Sequence, residues 1–195
     1  IGLHRPSSDI DLVVYGSRNC LKVYEALKVL MADAHAPVEP YSLEGLRRLY
    51  RFRSKDTRVS FEAFVRTEKR KVLQGTFRGT DFYVRFVKDW DELNTRYGAV
   101  RYKKVGYAKV KARVVDDSEA LFTHCTYEIS QVETLEGTRA EPLLEIASFR
   151  GRFCEQAHKG ETVIAKGKIE QVTTSEKVYY RLLLGGTPDS YMILC

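Results

Sequence analysis

The chain has 195 residues, 44% of them hydrophobic, and a net charge of +6; this is enough apolar material for one large or two small cored domains. It contains no run of 18 apolar residues, which excludes a helical membrane span, and no signal-peptide pattern stands at Ile1. Cys20, Cys125, Cys154 and Cys195 are widely separated and form no C-x-x-C pair, which argues against a zinc site and for a reduced, cytoplasmic setting.

Residues 6–16 read as a β-strand entered through a Ser-rich turn and ended by Gly16. Alternation puts Ile10, Leu12 and Val14 on one face and Asp9, Asp11, Val13 and Tyr15 on the other. Two neighbouring carboxylates repel each other and are costly to bury unpaired. A divalent cation such as Mg²⁺ relieves both problems, because it takes hard oxygen ligands from one or two carboxylates and from substrate phosphates.

Ser17 is a plausible cap for an amphipathic helix, which carries Cys20, Val23, Tyr24, Leu27, Leu30 and Met31 at helical spacing and ends near Asp33. Residues 36–41 are extended or turn-like because of Pro37 and Pro40. Ser42 caps a second predicted helix with Leu43, Leu46, Leu49 and Tyr50 inside and Arg47, Arg48, Arg51 and Arg53 around the rest. A third helix is expected from Ser60 through Leu73. Its Lys69-Arg70-Lys71 triplet lies near the C-terminal end, where the helix dipole favours cations. A turn is expected at residues 74–79, then an aromatic-rich strand at 80–87 opened by Asp81. Residues 88–101 read as the connection between two domains.

From Gly106 the period changes to two, with strands expected at 107–115, 120–132, 143–149, 161–171 and 178–184. Five strands in so short a span suggest a small closed barrel. The run from Gly160 to Glu170, with Gly167 inside it, resembles the kinked strand of OB-fold-like domains.

Charge is unevenly distributed. Residues 41–80 hold 11 Lys or Arg against 4 Asp or Glu, while the rest of the chain is close to neutral. A phosphate-rich partner, either a nucleotide or a nucleic acid such as RNA, explains such a segment; a solvated helical surface is the plainer alternative.

The stretch Ser8-Asp9-Ile10-Asp11-Leu12-Val13-Val14, with Gly2 before it, resembles the signature strand of the nucleotidyltransferase superfamily related to DNA polymerase beta. In that family a Gly-Ser pair cradles the triphosphate, an Asp-x-Asp strand holds two Mg²⁺ ions, and a third carboxylate on a neighbouring strand completes the site. The match covers the second half of this motif, so the first domain is expected to be N-terminally incomplete. The resemblance implies that Asp9 and Asp11 bind metal (Mg²⁺ or Mn²⁺) and take part in catalysis. Asp81 is preferred as the third acid over Glu39, which Pro37 and Pro40 bracket, Pro being poor in a central strand. Ser7 and Ser8 are candidate phosphate donors, although they also suit a turn. Arg47, Arg48 and Arg51 are candidate triphosphate ligands.

The expected architecture is therefore α+β: a nucleotidyltransferase-like α/β domain over residues 1–98 with a mixed sheet and helices, followed by a small OB-like β-barrel domain over 104–195. The expected function is transfer of a nucleoside monophosphate from an NTP to a hydroxyl-type acceptor. The alternative is an inactive transferase fold that binds nucleotide or RNA.

Overall fold

A computed structural model describes residues 8–93 and 95–195. The described residues form an α+β fold of two mixed sheets with three α-helices. The first sheet holds β1 (Ile10–Tyr15), β2 (Val38–Glu39), β3 (Gln74–Phe77) and β4 (Thr80–Val87) in the order β1-β4-β3-β2. β1 runs parallel to β4, and the other pairings are antiparallel.

Helix α1 (Ser17–Ala32) returns the chain from β1 across one face of this sheet. Cys20 of α1 packs with Leu73, Phe82, Val84 and Phe86 at full or near-full burial, and Ile10, Val14, Val23, Tyr24, Leu27 and Met31 pack around them. Leu12, on the same face, is 51% exposed because β1 is an edge strand. The N-terminus of α1 differs from the sequence expectation. Gly16, at φ 81°, occupies the cap position, and Ser17 is the first helical residue. The Glu92 carboxylate accepts from Ser17 N at 2.9 Å and from Ser17 Oγ at 2.9 Å. An anion at the positive end of the helix dipole thus replaces a local side-chain cap.

Helices α2 (Leu43–Arg53) and α3 (Phe61–Glu68) open on the two expected caps: Ser42 Oγ accepts from Gly45 N, and Ser60 Oγ accepts from Ala63 N. Helix α3 ends at Glu68, short of the expected Leu73. The reason lies far along the chain: the buried Glu155 carboxylate accepts from Val72 N at 2.9 Å and Leu73 N at 2.8 Å, holding those amides outside a helix. Residues 74–77, expected as part of a turn, instead form β3. The turn contracts to Arg78 and Gly79, both with positive φ, the conformation that a two-residue hairpin requires.

The second sheet is built from β5 (Arg101–Asp116), β6 (Cys125–Gly137), β7 (Leu143–Ser148), β8 (Thr162–Thr173), β9 (Val178–Leu184) and β10 (Tyr191–Leu194). Its order is β10-β8-β5-β6-β7-β9, and β8 also pairs with β9. β7 and β9 are parallel. β5 begins at Arg101, inside the expected connection, where residues 101–104 pair with 170–173 of β8. β6 starts at Cys125, five residues later than read from the sequence, because Ala120 and Phe122 turn back in backbone hydrogen bonds to Asp117 and Glu119. The side chains enclosed by these strands include Val110, Val114, Tyr127, Ile146, Val163, Ile169 and Leu182.

Gly167 marks the point where β8 changes partners, from β10 on one side of it to β9 on the other. A Cβ at this position would lie 2.6 Å from the Leu183 carbonyl oxygen. Gly167→Ala is expected to cost about 1–3 kcal/mol, as overpacking does, read as a lowered urea midpoint.

The two sheets meet along a buried polar seam. Besides the Glu155 contacts, Arg70 grips Glu161 with two bonds of 2.7 and 2.6 Å, and Lys71 Nζ donates to Arg152 O at 2.6 Å. Among the described residues, no helix is long and apolar enough to cross a membrane.

Candidate active site

The face of the first sheet opposite α1 carries the acidic residues. In the parallel β1–β4 ladder, Ile10 pairs with Phe82 and Asp11 with Tyr83. Extending this register by one row puts Asp9, which precedes β1, beside Asp81, and partners in register point to the same face. Asp9, Asp11 and Asp81 therefore share a face of two neighbouring strands. Asp9 and Asp11 are exposed, and neither forms an ion pair among the described residues. Tyr41 senses the group: burial first, then the negative charges of Asp81 and Asp9, push its phenol up to about 12 against the opposing pull of Arg53 and Arg48.

Glu39 lies in the same row, paired with Thr76, which in turn pairs with Asp81. It sits on the far edge strand, so it is three strand spacings from β1, or roughly 14 Å. Asp81 is one spacing away, or roughly 5 Å.

The candidate phosphate ligands divide. Arg48 of α2 reaches Asp81, with Nη2 2.6 Å from Oδ1 and 2.9 Å from Oδ2. Arg47 turns instead toward α3, its guanidinium 5.7 Å from the Phe61 ring centre. Arg51 is exposed. Ser8 is half-buried, and Ser7 and Gly2 lie outside the described residues. The Lys69-Arg70-Lys71 triplet does not border the carboxylates: Arg70 and Lys71 are consumed by the seam between the sheets. Among the described residues, no three His, Cys, Asp or Glu side chains come close enough together to hold a metal ion. Asp9 and Asp11 still offer two accessible hard-oxygen ligands. Mg²⁺ characteristically needs only one or two carboxylates, waters and substrate phosphates, so this donor set fits that ion.

Two groups escaped the sequence reading. Arg85 is exposed on β4, in register with Val13 and 5.9 Å from the Tyr83 ring centre, so it joins the acidic face two residues along from Tyr83. Strand alternation from Asp81 would have found it. The second group lies on the strand-rich half. The buried Arg181 guanidinium sits 3.9 Å from the Tyr102 ring centre and 5.8 Å from that of Phe149. His124 stacks on Phe149 at 4.9 Å. Tyr102 and Phe149 are 51% and 58% exposed. Burial, then the nearby Arg181 charge, pushes the His124 imidazole below its ordinary range, which favours the neutral, stacking form. These four residues come from separate strands and loops, so no local motif signals them.

No family model and no solved structure matches the chain. Among curated proteins it is similar to "Uncharacterized protein MJ1086" of Methanocaldococcus jannaschii, 35% identical over 190 residues, which is 97% of this chain and 54% of that protein. The chain thus spans about half the length of the curated relative it matches.

Proposed function

We propose that this chain is a nucleotidyltransferase that moves a nucleoside monophosphate from an NTP to a hydroxyl-type acceptor. The observation that supports this reading is the parallel register of β1 and β4, in which Asp11 pairs with Tyr83; alternation along the two strands then gives Asp9 and Asp81 the same face as Asp11. In the proposed reaction the acceptor oxygen forms a bond to the α-phosphorus and the α–β bridging P–O bond breaks. Pyrophosphate leaves with that electron pair, and the hydroxyl proton passes to a carboxylate or to solvent. Asp9 and Asp11 would hold Mg²⁺ or Mn²⁺, which when bound neutralises charge building on the phosphates. Arg48, 62% exposed, would exchange its bond to Asp81 for one to the triphosphate, which releases Asp81 to complete the ligand set.

We further propose that the cycle of pairings β5-β6-β7-β9-β8 is a small OB-like barrel that binds the acceptor, RNA or another phosphate-rich chain. The exposed Tyr102 and Phe149 rings supply sequence-tolerant stacking surfaces.

The first test is pyrophosphate release from each NTP in Mg²⁺ or Mn²⁺, with RNA and small hydroxyl compounds offered as acceptors. Release above the metal-free control supports the enzyme. A second reading has its own observation: the Arg48–Asp81 pair occupies the third acid, as expected of an inactive fold that only binds nucleotide or RNA. Arg48→Ala separates the two. In the enzyme it tightens Mn²⁺ binding by up to about fivefold, the equivalent of the ~1 kcal/mol such an exposed pair is worth, and weakens the NTP. Unchanged Mn²⁺ affinity in a titration favours the inactive fold.

A further inference from the structure

The acidic face of the first sheet continues past its carboxylates to two exposed side chains, Arg85 and Tyr15. We propose that these two residues hold the end of a single-stranded nucleic acid, Arg85 by its last phosphate and Tyr15 by the next base, so that the terminal hydroxyl is the acceptor. The inference rests on the transferase reading above.

The strand register orders the side chains along this face. Asp11 pairs with Tyr83, Val13 with Arg85 and Tyr15 with Val87. Alternation keeps Asp11, Val13 and Tyr15 of β1 on one side of the sheet with Asp81, Tyr83 and Arg85 of β4. Successive rows on a face are two residues apart, or roughly 7 Å. Arg85 therefore stands one row beyond Asp11 and Tyr15 two rows beyond it, while Asp81 stands one row before it. The Arg85 guanidinium lies 5.9 Å from the Tyr83 ring centre and pairs with no carboxylate among the described residues. Tyr15 is 61% exposed and Val13 is 49% exposed. The face thus presents carboxylates, then an uncommitted guanidinium beside the short Val13, then an open aromatic ring.

The geometry of the transfer decides what enters from that side. Attacking and leaving oxygens lie roughly in line, on opposite sides of the α-phosphorus. Arg48 meets the face at Asp81, so a triphosphate drawn to Arg48 sends its pyrophosphate toward that end. The acceptor hydroxyl then approaches from the opposite end, across Tyr15 and Arg85. An acceptor that suits both residues carries a phosphate one row from its reactive hydroxyl and a flat ring one row further on. The end of a nucleic-acid strand has this order of groups. The forked donors of a guanidinium match phosphate geometry, and an exposed aromatic ring stacks on any base. A free nucleoside or a small alcohol gives Arg85 no phosphate to bind. The hydroxyl oxygen bonds to the α-phosphorus as pyrophosphate leaves, and its proton passes to a carboxylate or to solvent.

The test uses the full chain and a short labelled single-stranded RNA with free hydroxyl ends. Binding is followed first, by fluorescence anisotropy in EDTA without NTP. Arg85→Gln should weaken the RNA about fivefold and lower the slope of log affinity against log salt by about 0.7, the share of one phosphate contact on a single strand. Tyr15→Leu should weaken it about tenfold with the slope unchanged, because stacking is lost and no charge. Both side chains are exposed, so both variants should fold. Arg18→Gln removes an exposed cation from α1, across the sheet, and should match the wild type. Unchanged affinity in either Arg85→Gln or Tyr15→Leu overturns the proposal. An equal loss in Arg18→Gln also overturns it, because net charge is then the cause. Steady-state transfer with Mg²⁺ gives the second readout. Arg85→Gln should raise KM for the RNA and leave KM for the NTP as it was. A raised KM for the NTP instead makes Arg85 a triphosphate ligand and overturns the proposal. Transfer to RNA that neither substitution alters overturns the proposal while the transferase reading stands. RNA binding that needs both residues, with no transfer from any NTP, supports the two contacts and overturns the transferase reading alone.

Discussion

Changing Asp11 to Asn should lower nucleotidyl transfer by about a thousandfold, the equivalent of roughly 4 kcal/mol of transition-state stabilisation, and leave the fold intact. The fold survives because Asp11 is exposed on an edge strand, where surface changes fall within about 0.5 kcal/mol. Asp9→Asn should behave alike, and the double variant should lose little more than either single one, because residues that act as a unit are not additive. Asp81→Asn differs in a way that can be measured. It also removes the partner of Arg48, so transfer falls while stability drops by no more than the ~1 kcal/mol of an exposed pair. Glu39→Gln should be silent, because its strand lies on the opposite edge of the sheet. Pyrophosphate release and thermal unfolding, each measured with and without Mg²⁺, check all four. A loss with Glu39→Gln and none with Asp81→Asn would name Glu39 as the third acid. No change in any variant would leave the binding reading in place.

Glu68→Gln should be the most destabilising single change at the seam, costing about 3–5 kcal/mol, as breaking a buried ion network does. The side chain of Lys71 is 2% exposed and that of Arg53 is 18% exposed, so both would lose the one carboxylate that pairs with them among the described residues, in a place where water replaces it poorly. With a typical urea slope of about 2 kcal/mol per molar, the midpoint should fall by roughly 2 M. The pH dependence carries a second signature. Burial acts to raise the Glu68 carboxyl, but Lys71 and then Arg53 overcome it and hold the group below its ordinary value of 4.5. A depressed carboxylate contributes stability above its unfolded value and loses it as pH falls through its folded value. The gap between wild type and Glu68→Gln should therefore be full at neutral pH and close on acidification below 4.5. A midpoint shift under 0.5 M at pH 7, or a gap that widens in acid, would contradict this account.

Much of this protein is decided locally and can be read from the sequence. Ser42 and Ser60 cap their helices because an Oγ three residues before an amide needs only its own segment. The alternation in β1 separates Ile10 and Val14 from Asp9 and Asp11 whatever the strand pairs with, since the pleat has period two. The period-two pattern after Gly106 announces a strand-rich half, and Gly167 announces a kinked strand, before any partner strand is known. The resemblance of Ser8 to Val14 to a transferase strand is likewise a property of one segment.

Other features depend on residues far apart in the chain, which local patterning does not encode. Helix α3 stops at Glu68 because Glu155 takes the amides of Val72 and Leu73. Helix α1 is capped by Glu92 rather than by its own neighbour. The basic segment was legible as charge but not as function: tertiary packing sends Arg48 to Asp81, Arg53 and Lys71 to Glu68, and Arg70 to Glu161. A run of cations specifies only that counter-charges are needed. Which carboxylate meets which cation is settled by strand order and by the depth at which each pair is buried, and both exist only once the two sheets have closed on each other.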